Sequence, residues 1–302
     1  MLTGDDVFLE PKSHQDEYVL SDVGKVYQGS YKEPIGRDWA FGQFEDSVLP
    51  AAVYLLDRST LRPSERGSPV KVARAISAMV NQVDDGGVLV GRWSGDYEDG
   101  VAPWMWTGKI FLSFPHFSEL FKGPFVCAAG SAKILEQYME TGSAVKYGQC
   151  WVFSAVTTTV CRALGLPCRS VTNYVSAHDT NQSLTIDRFF DQSGDELDSR
   201  THPEIGSDSI WNYHVWNDVW MARPDLPSGF GGWQAIDATP QEASDDRYQC
   251  GPAPVEAIRR GEVGLGYDAP FIFSEVNADV CHFMADPKSS WGFSRIKTNE
   301  YQ

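Results

Sequence analysis

Three observations predict an α+β fold. A helical segment, GQCWVFSAVTTTVCRALGLPCR, starts near Gln149 and stops at Gly165-Leu166-Pro167, where a glycine followed by a proline ends helices. A β-branched run, RSVTNYV, follows at once and reads as a strand. Two aromatic runs, WNYHVWNDVWMA and GGWQAIDATP, read as paired strands separated by ARPDLPSGFG. A central helix carrying Cys150, followed by strands carrying His214 and Asp237, belongs to the α+β class rather than to an alternating βαβ pattern.

The remaining segments are assigned by the same rules. Residues 1–38 are polar and irregular and read as a lead-in linker to a domain spanning 39–302. The run VKVARAISAMVN, Val70 to Asn81, puts apolar residues at helical spacing after Gly67-Ser68-Pro69. Asp84 to Gly100 and Ser176 to Asp208 read as polar loops, and Asp286 to Gln302 shows no closing element. No internal repeat appears.

Composition bounds the function. The chain has 302 residues, 42% of them hydrophobic, and its ten Trp argue against disorder. That length permits one large domain or two modest ones. A formal net charge of −16 argues against a nucleic-acid surface and suits cation binding or plain solubility. No apolar stretch reaches the roughly 18 residues that span a bilayer. The start, MLTGDDVFLEPKSHQDEY, lacks the basic and apolar regions of a secretory leader. A cytoplasmic location is therefore expected, or export that needs no leader. The six Cys (127, 150, 161, 168, 250 and 281) are scattered without a CxxC pair, which favours free thiols over a zinc cage.

Cys150 falls in the first turn of its helix, where the dipole and unpaired N–H groups favour a thiolate. His214 is the natural base beside it, and Asp237 the residue that holds the imidazole in the needed tautomer. Alone, this trio is weak. A lone Cys and His more often prove to be a buried helix thiol and a satisfied strand histidine.

The flanking sequence decides. YGQCWVF (147–153), RSVTNYVSAHD (169–179), WNYHVWNDVWMARPDLP (211–227) and GGWQAIDATPQE (231–242) closely resemble the active-site segments of animal transglutaminases. So do GSPVKVARAISAMVN, GVLVGRW, YDAPFIFSEVNAD and FGQFEDSVLP. The resemblance runs from about Val7 to Asp279 and is nearest to the tissue, epidermal and factor XIII A-subunit types. It implies the papain-like cysteine-proteinase fold of the transglutaminase core, with its C-terminal end incomplete and without the family's N-terminal β-sandwich and C-terminal β-barrels. It also implies the chemistry: Cys150 takes the acyl group of a protein glutamine as a thioester and passes it to a lysine, a small primary amine or water. His214 is then general base and acid, and Asp237 orients it. Trp93, in GVLVGRW, matches the indole that stabilises the oxyanion with the Cys150 backbone N–H. Trp211 matches the wall of the amine tunnel.

Calcium is the implied cofactor. Asp179, Asn181, Ser183 and Thr185, with the distant Asp208, match one site, and alternate oxygen ligands on a loop suit a hard cation. Asn81 and Asp85, with the Ala78 carbonyl, match a second. Asn277 and Asp279 match part of a third, whose acidic partners are expected beyond Gln302.

One insertion departs from the family. KIFLSFPHFSELFKGPFVCAA (109–129) adds about twenty residues in a place where loop length is free to vary. It is too apolar for an ordinary surface loop. It reads as a lid, as a partner-binding patch or, more simply, as untranslated sequence carried into the reading frame. Two other functions compete with acyl transfer. A papain-like peptidase shares the Cys, His, Asp order but needs neither Trp93 nor the cation loop. An inert scaffold is opposed by the presence of all three catalytic residues.

Overall fold

The structure is a computed structural model that describes residues 4–107 and 130–296. Its axis is α5 (Cys150–Ala163), in which every residue from Cys150 to Arg162 is buried. A helix wrapped on all sides must satisfy its polar side chains locally. Thr158 and Thr159 do so by donating to the carbonyls of Ser154 and Ala155, four residues back (2.9 and 3.0 Å). The helix ends where Gly165 takes φ +82°, a conformation that costs glycine no Cβ clash.

Helices α2 (Val48–Arg58), α3 (Pro69–Val80) and α4 (Ser131–Thr141) pack against α5. Leu55, Ile76, Met79, Ile134, Leu135, Phe153 and Val156 are buried together between them. Against α5 also lies an antiparallel sheet of order β5-β7-β8-β9. Its strands are β5 (Cys168–His178), β7 (Ser209–Met221), β8 (Gly232–Ile236) and β9 (Ala253–Pro254). Ser154 Oγ donates to Trp216 O (2.9 Å), and Asn217 Nδ2 donates to Ser154 O and Thr158 Oγ1 (2.9 and 2.8 Å). These bonds fix the height of β7 on the helix.

Smaller pairings complete the fold. They are β3 (Leu89–Gly91) with β4 (Val145–Gly148), and β6 (Thr185–Phe190) with β10 (Asp279–Ala285) and β11 (Phe293–Ile296). Short helices α1 (Lys12–Gln15), α6 (Val255–Arg260) and α7 (Ala269–Val276) fill the flanks. No helix among the described residues is long and apolar enough to cross a membrane. The five described cysteines are free thiols and buried.

The helix at 70–81, the Cys150 helix and the three strands after it stand where the sequence places them. Four expectations are corrected. The polar lead-in holds a hairpin, β1 (Val23–Gly29) with β2 (Pro34–Ala40), so a boundary at residue 38 cuts a strand. It looks irregular in sequence because only Val26 and Trp39 of its fourteen strand residues are buried. The loop Asp84 to Gly100 contains β3, Ser176 to Asp208 contains β6, and the tail contains β11. The partner of β6 is β10, far along the chain, so local pattern does not reveal the pairing. The insertion 109–129 lies outside the described residues. Leu55→Ala, which empties a fully buried site between α2 and α5, should cost about 2–5 kcal/mol in urea unfolding. A loss below about 1 kcal/mol would mean the helical layer is not packed as described.

Candidate active site

Cys150 is the first residue of α5 and is buried. Gln149 before it is extended, and its side-chain amide donates to Arg92 O (3.0 Å) and Tyr97 Oη (2.8 Å). The helix start is thereby tied to the segment leaving β3. Val152 and Phe153 N–H return to Gln149 O, which closes the first turn of the helix at Cys150.

His214, on β7, is fully buried, and its Nε2 lies 2.7 Å from Asp237 Oδ2, just past the end of β8. Asp237 Oδ1 accepts the Thr239 N–H at 2.8 Å. Nδ1 of His214 makes no regular hydrogen bond and is the nitrogen left for the Cys150 thiol. Burial alone would lower the basicity of this imidazole. The Asp237 charge and hydrogen bond, with Cys150 and Glu275, outweigh it and hold His214 well above its ordinary value.

Two neighbours were not foreseen. Gln241 Nε2 donates to Asp237 Oδ2 (2.8 Å) and Glu275 Oε1 (3.0 Å) and stands 3.0 Å from His214 Nε2. Glu275, on α7, is fully buried with Oε1 3.6 Å from His214 Nε2. Burial pushes its carboxyl up to about 8, against the pull of the His214 charge and with the help of Asp237. GGWQAIDATPQE and FIFSEVNAD contain both residues, but nothing in the local pattern marks a glutamate as buried.

The aromatic residues form a wall. Trp93 is 46% exposed and stacks on Phe153 with ring centroids 6.4 Å apart. Gly91 makes this possible: a Cβ there would come within 2.6 Å of the Trp93 ring. Trp211 lies 6.3 Å from Trp93 and edge-on to His214 at 5.2 Å. Its own N–H donates to Ser209 Oγ (3.2 Å). Behind Trp211, also missed by the sequence reading, His178 pairs with Glu242 at 2.8 Å.

The cation-loop residues come together. Asp179 receives the Asn181, Ser183 and Leu184 N–H groups. Ser183 Oγ and Thr185 Oγ1 are 2.7 Å apart, and Asp208 receives the Thr180 and Asp187 N–H groups. Asp187, next at the same alternate spacing, joins them through Thr185 Oγ1 (2.8 Å). Burial first, then Asp208 and Asp179, raise its carboxyl. Such a set suits a hard divalent cation. The other expected residues are placed differently. Asn81 and Ala78 are buried at the end of α3, while Asp85 is ion-paired with Arg247. Asn277 and Asp279 are exposed, and Asp279 pairs in register with Thr185, so they border the first loop.

Glu275 generates a pH test. It ionises at about 4.5 when unfolded and only at about 8 when folded, so the native state holds an extra proton between those values. Stability from this group is present below about 4.5 and is lost as pH rises toward 8. Glu275→Gln keeps the shape and cannot ionise. Its melting temperature should gain on the wild type from about pH 5 to about pH 8, and a flat difference would place a charged Glu275 in the folded state.

The sequence model of the transglutaminase-like superfamily matches residues 130–238, the stretch that holds Cys150, His214 and Asp237. The hemocyte protein-glutamine γ-glutamyltransferase of Tachypleus tridentatus is 56% identical over 99% of this chain and 36% of its own length. Human coagulation factor XIII A chain is 46% identical over 93% of this chain and 35% of its own. The chain thus spans about a third of the curated relatives it matches. The red sea bream transglutaminase structure aligns at TM-score 0.78 and 42% identity, covering 97% of this chain and 41% of that one. By sequence and by fold, with its Cys150 helix laid against an antiparallel sheet, the chain belongs to the transglutaminase family.

Proposed function

We propose that the chain catalyses calcium-dependent acyl transfer from the side chains of protein glutamines to lysines or other primary amines. The observation that carries this reading is Cys150 at a helix start, with His214 buried beside it and bonded to Asp237. The relatives are γ-glutamyltransferases of protein glutamine by name.

In this reaction the Cys150 sulfur attacks the γ-carboxamide carbon. The C–N bond breaks, His214 gives its proton to the departing ammonia, and a thioester remains. His214 then takes a proton from the incoming amine as it attacks the thioester, and the product is an isopeptide or a substituted amide. Water in place of the amine gives glutamate. Asp237 keeps the imidazole oriented through both proton transfers. Trp93 and the Cys150 backbone N–H supply the oxyanion donors, for which an indole suits because it donates and does not accept. The wall of Trp93 and Trp211 limits water at the thioester.

Calcium would be held by Asp179, Asn181, Ser183, Thr185 and Asp208, with Asp187 added. When bound it supplies positive charge that offsets their mutual repulsion. Asn277 and Asp279 would contribute at the edge of that loop. The partners are proteins with accessible Gln and Lys and small primary amines.

Cys150→Ala should abolish incorporation of a fluorescent amine into a glutamine peptide with calcium present, leaving the circular dichroism spectrum unchanged. Full retention would remove Cys150 from the role, and peptide-bond cleavage by the wild type would favour a peptidase. Trp93→Phe keeps the stack on Phe153 and removes the N–H, so kcat should fall about 10²-fold or more. An unchanged kcat would exclude Trp93 as a donor. Asp208→Asn should weaken calcium binding about tenfold, because ligand charge sets affinity. Unaltered calorimetric titration would put the cation elsewhere.

A further inference from the structure

The end of α3 has the composition of a cation site with a cation already on it. In a continuing helix the Gln82 N–H would return to Ala78 O, but it goes to Leu89 O at 2.9 Å. Asn81 is 1% exposed, and its Oδ1 accepts no hydrogen bond. A buried amide oxygen without a donor is rare and costly. Its own NH2 is spent on Ser77 O and Tyr248 O (3.2 and 2.8 Å), which leaves the oxygen facing inward. Asp85, in the same turn, is the carboxylate of the set. Arg247 Nη1 spans its two oxygens at 2.8 and 3.0 Å.

Arg247 reaches this place on a turn fastened to the 81–85 segment independently of its charge. The Tyr248 N–H donates to Asp84 Oδ2 at 2.8 Å, and Tyr248 O takes the Asn81 amide. Ser244 N–H donates to Arg247 O at 2.7 Å and closes the turn from the other side. The backbone therefore holds the guanidinium at Asp85 whether or not the ion pair is favourable by itself.

We propose that Arg247 is a built-in competitor at this second cation site: it occupies Asp85, and a divalent cation binding there has to take the carboxylate from it. The proposal rests on the reading that Ala78, Asn81 and Asp85 bind calcium. Arg247 cancels the one ligand charge that the site has, and affinity in oxygen sites follows ligand charge. The chain thus has two unequal sites. The loop built on Asp179, Asp187 and Asp208 has no arginine hydrogen-bonded to its carboxylates among the described residues, so the competition is confined to the α3 site. Calcium entering there has to displace the guanidinium. The pair is only partly screened from water, with Arg247 32% and Asp85 17% exposed, so the displacement is of the size of a single accessible ion pair.

Titration of the full 302-residue chain with calcium chloride, read by calorimetry, tests this. Arg247→Met should tighten one class of site about threefold or more and leave the other unchanged, the scale expected for one accessible ion pair. Asp85→Asn should abolish that same class. Should Asp85→Asn remove a class that Arg247→Met leaves unaltered or weakens, Arg247 is a clamp between two turns and the competition is wrong, while the site stands. Should neither variant change calcium binding, the α3 site itself does not exist and the proposal falls with it. If Arg247→Met loses its circular dichroism signal, Arg247→Gln, neutral and still able to donate to Asp85, gives the same comparison.

Discussion

His214 and Asp237 are almost wholly removed from water, and a charged pair so placed is stable only when its geometry repays desolvation. Here the repayment is visible atom by atom. Asp237 receives the imidazole, the Thr239 N–H and the Gln241 amide, which satisfies both oxygens. The sheet sets the distance. Asn217 pairs with Ile236, so His214 lies three residues before that pair and Asp237 one residue after it, both beyond the last rung. A slip of one residue in either strand would turn its side chain to the opposite face. The His214–Asp237 bond is therefore also a strict statement of β7–β8 register.

Cys150 enters this arrangement through a different contact. Its helix is joined to β7 by Ser154, Thr158 and Asn217, all buried and all bonded across the helix–sheet boundary. An apolar boundary of the same shape would pack as well but could slide. Polar links buried at that boundary fix one sliding position, and that position puts the first turn of α5 at the His214 ring. The run of Ser and Thr inside an otherwise apolar helix is explained by this need and by bonding back along the helix.

Much of this was legible in advance because it is local or carried by long motifs. The Cys150 helix has an apolar body, a breaker at its end and a cysteine at its start. The strands with His214 and Asp237 have dense aromatic runs. What stayed hidden depends on distant partners. Glu275 and Gln241 look like ordinary polar residues, and the packing of α7 against β5, α6 and β9 accompanies the burial of the first beside His214. The hairpin β1–β2 exposes nearly every residue and so mimics a linker. Asp187 is the opposite case: it continued the alternate spacing of 179, 181, 183 and 185 and could have been added on that ground. Arg247 had no local signal, since its meaning lies in a turn it meets only in three dimensions.

The loop that starts at Asp179 follows directly on His178, which packs on Trp211, and this constrains how one can affect the other. His178, edge-on to Trp211, ends β5, and Asp179 is the next residue. On the other side α7 carries Glu275 into the triad and then gives way to β10, whose first N–H, from Asp279, bonds Leu184 O in the loop. The loop is thus anchored at one end beside Trp211 and braced from the other by the segment that carries the buried Glu275. Between these two connections the Asp187 carboxyl is raised, first by burial and then by repulsion from Asp208 and Asp179. Under the proposed function, a divalent cation that offsets this repulsion acts on the strand ends themselves, so its influence on Trp211 and Glu275 needs no path through the core.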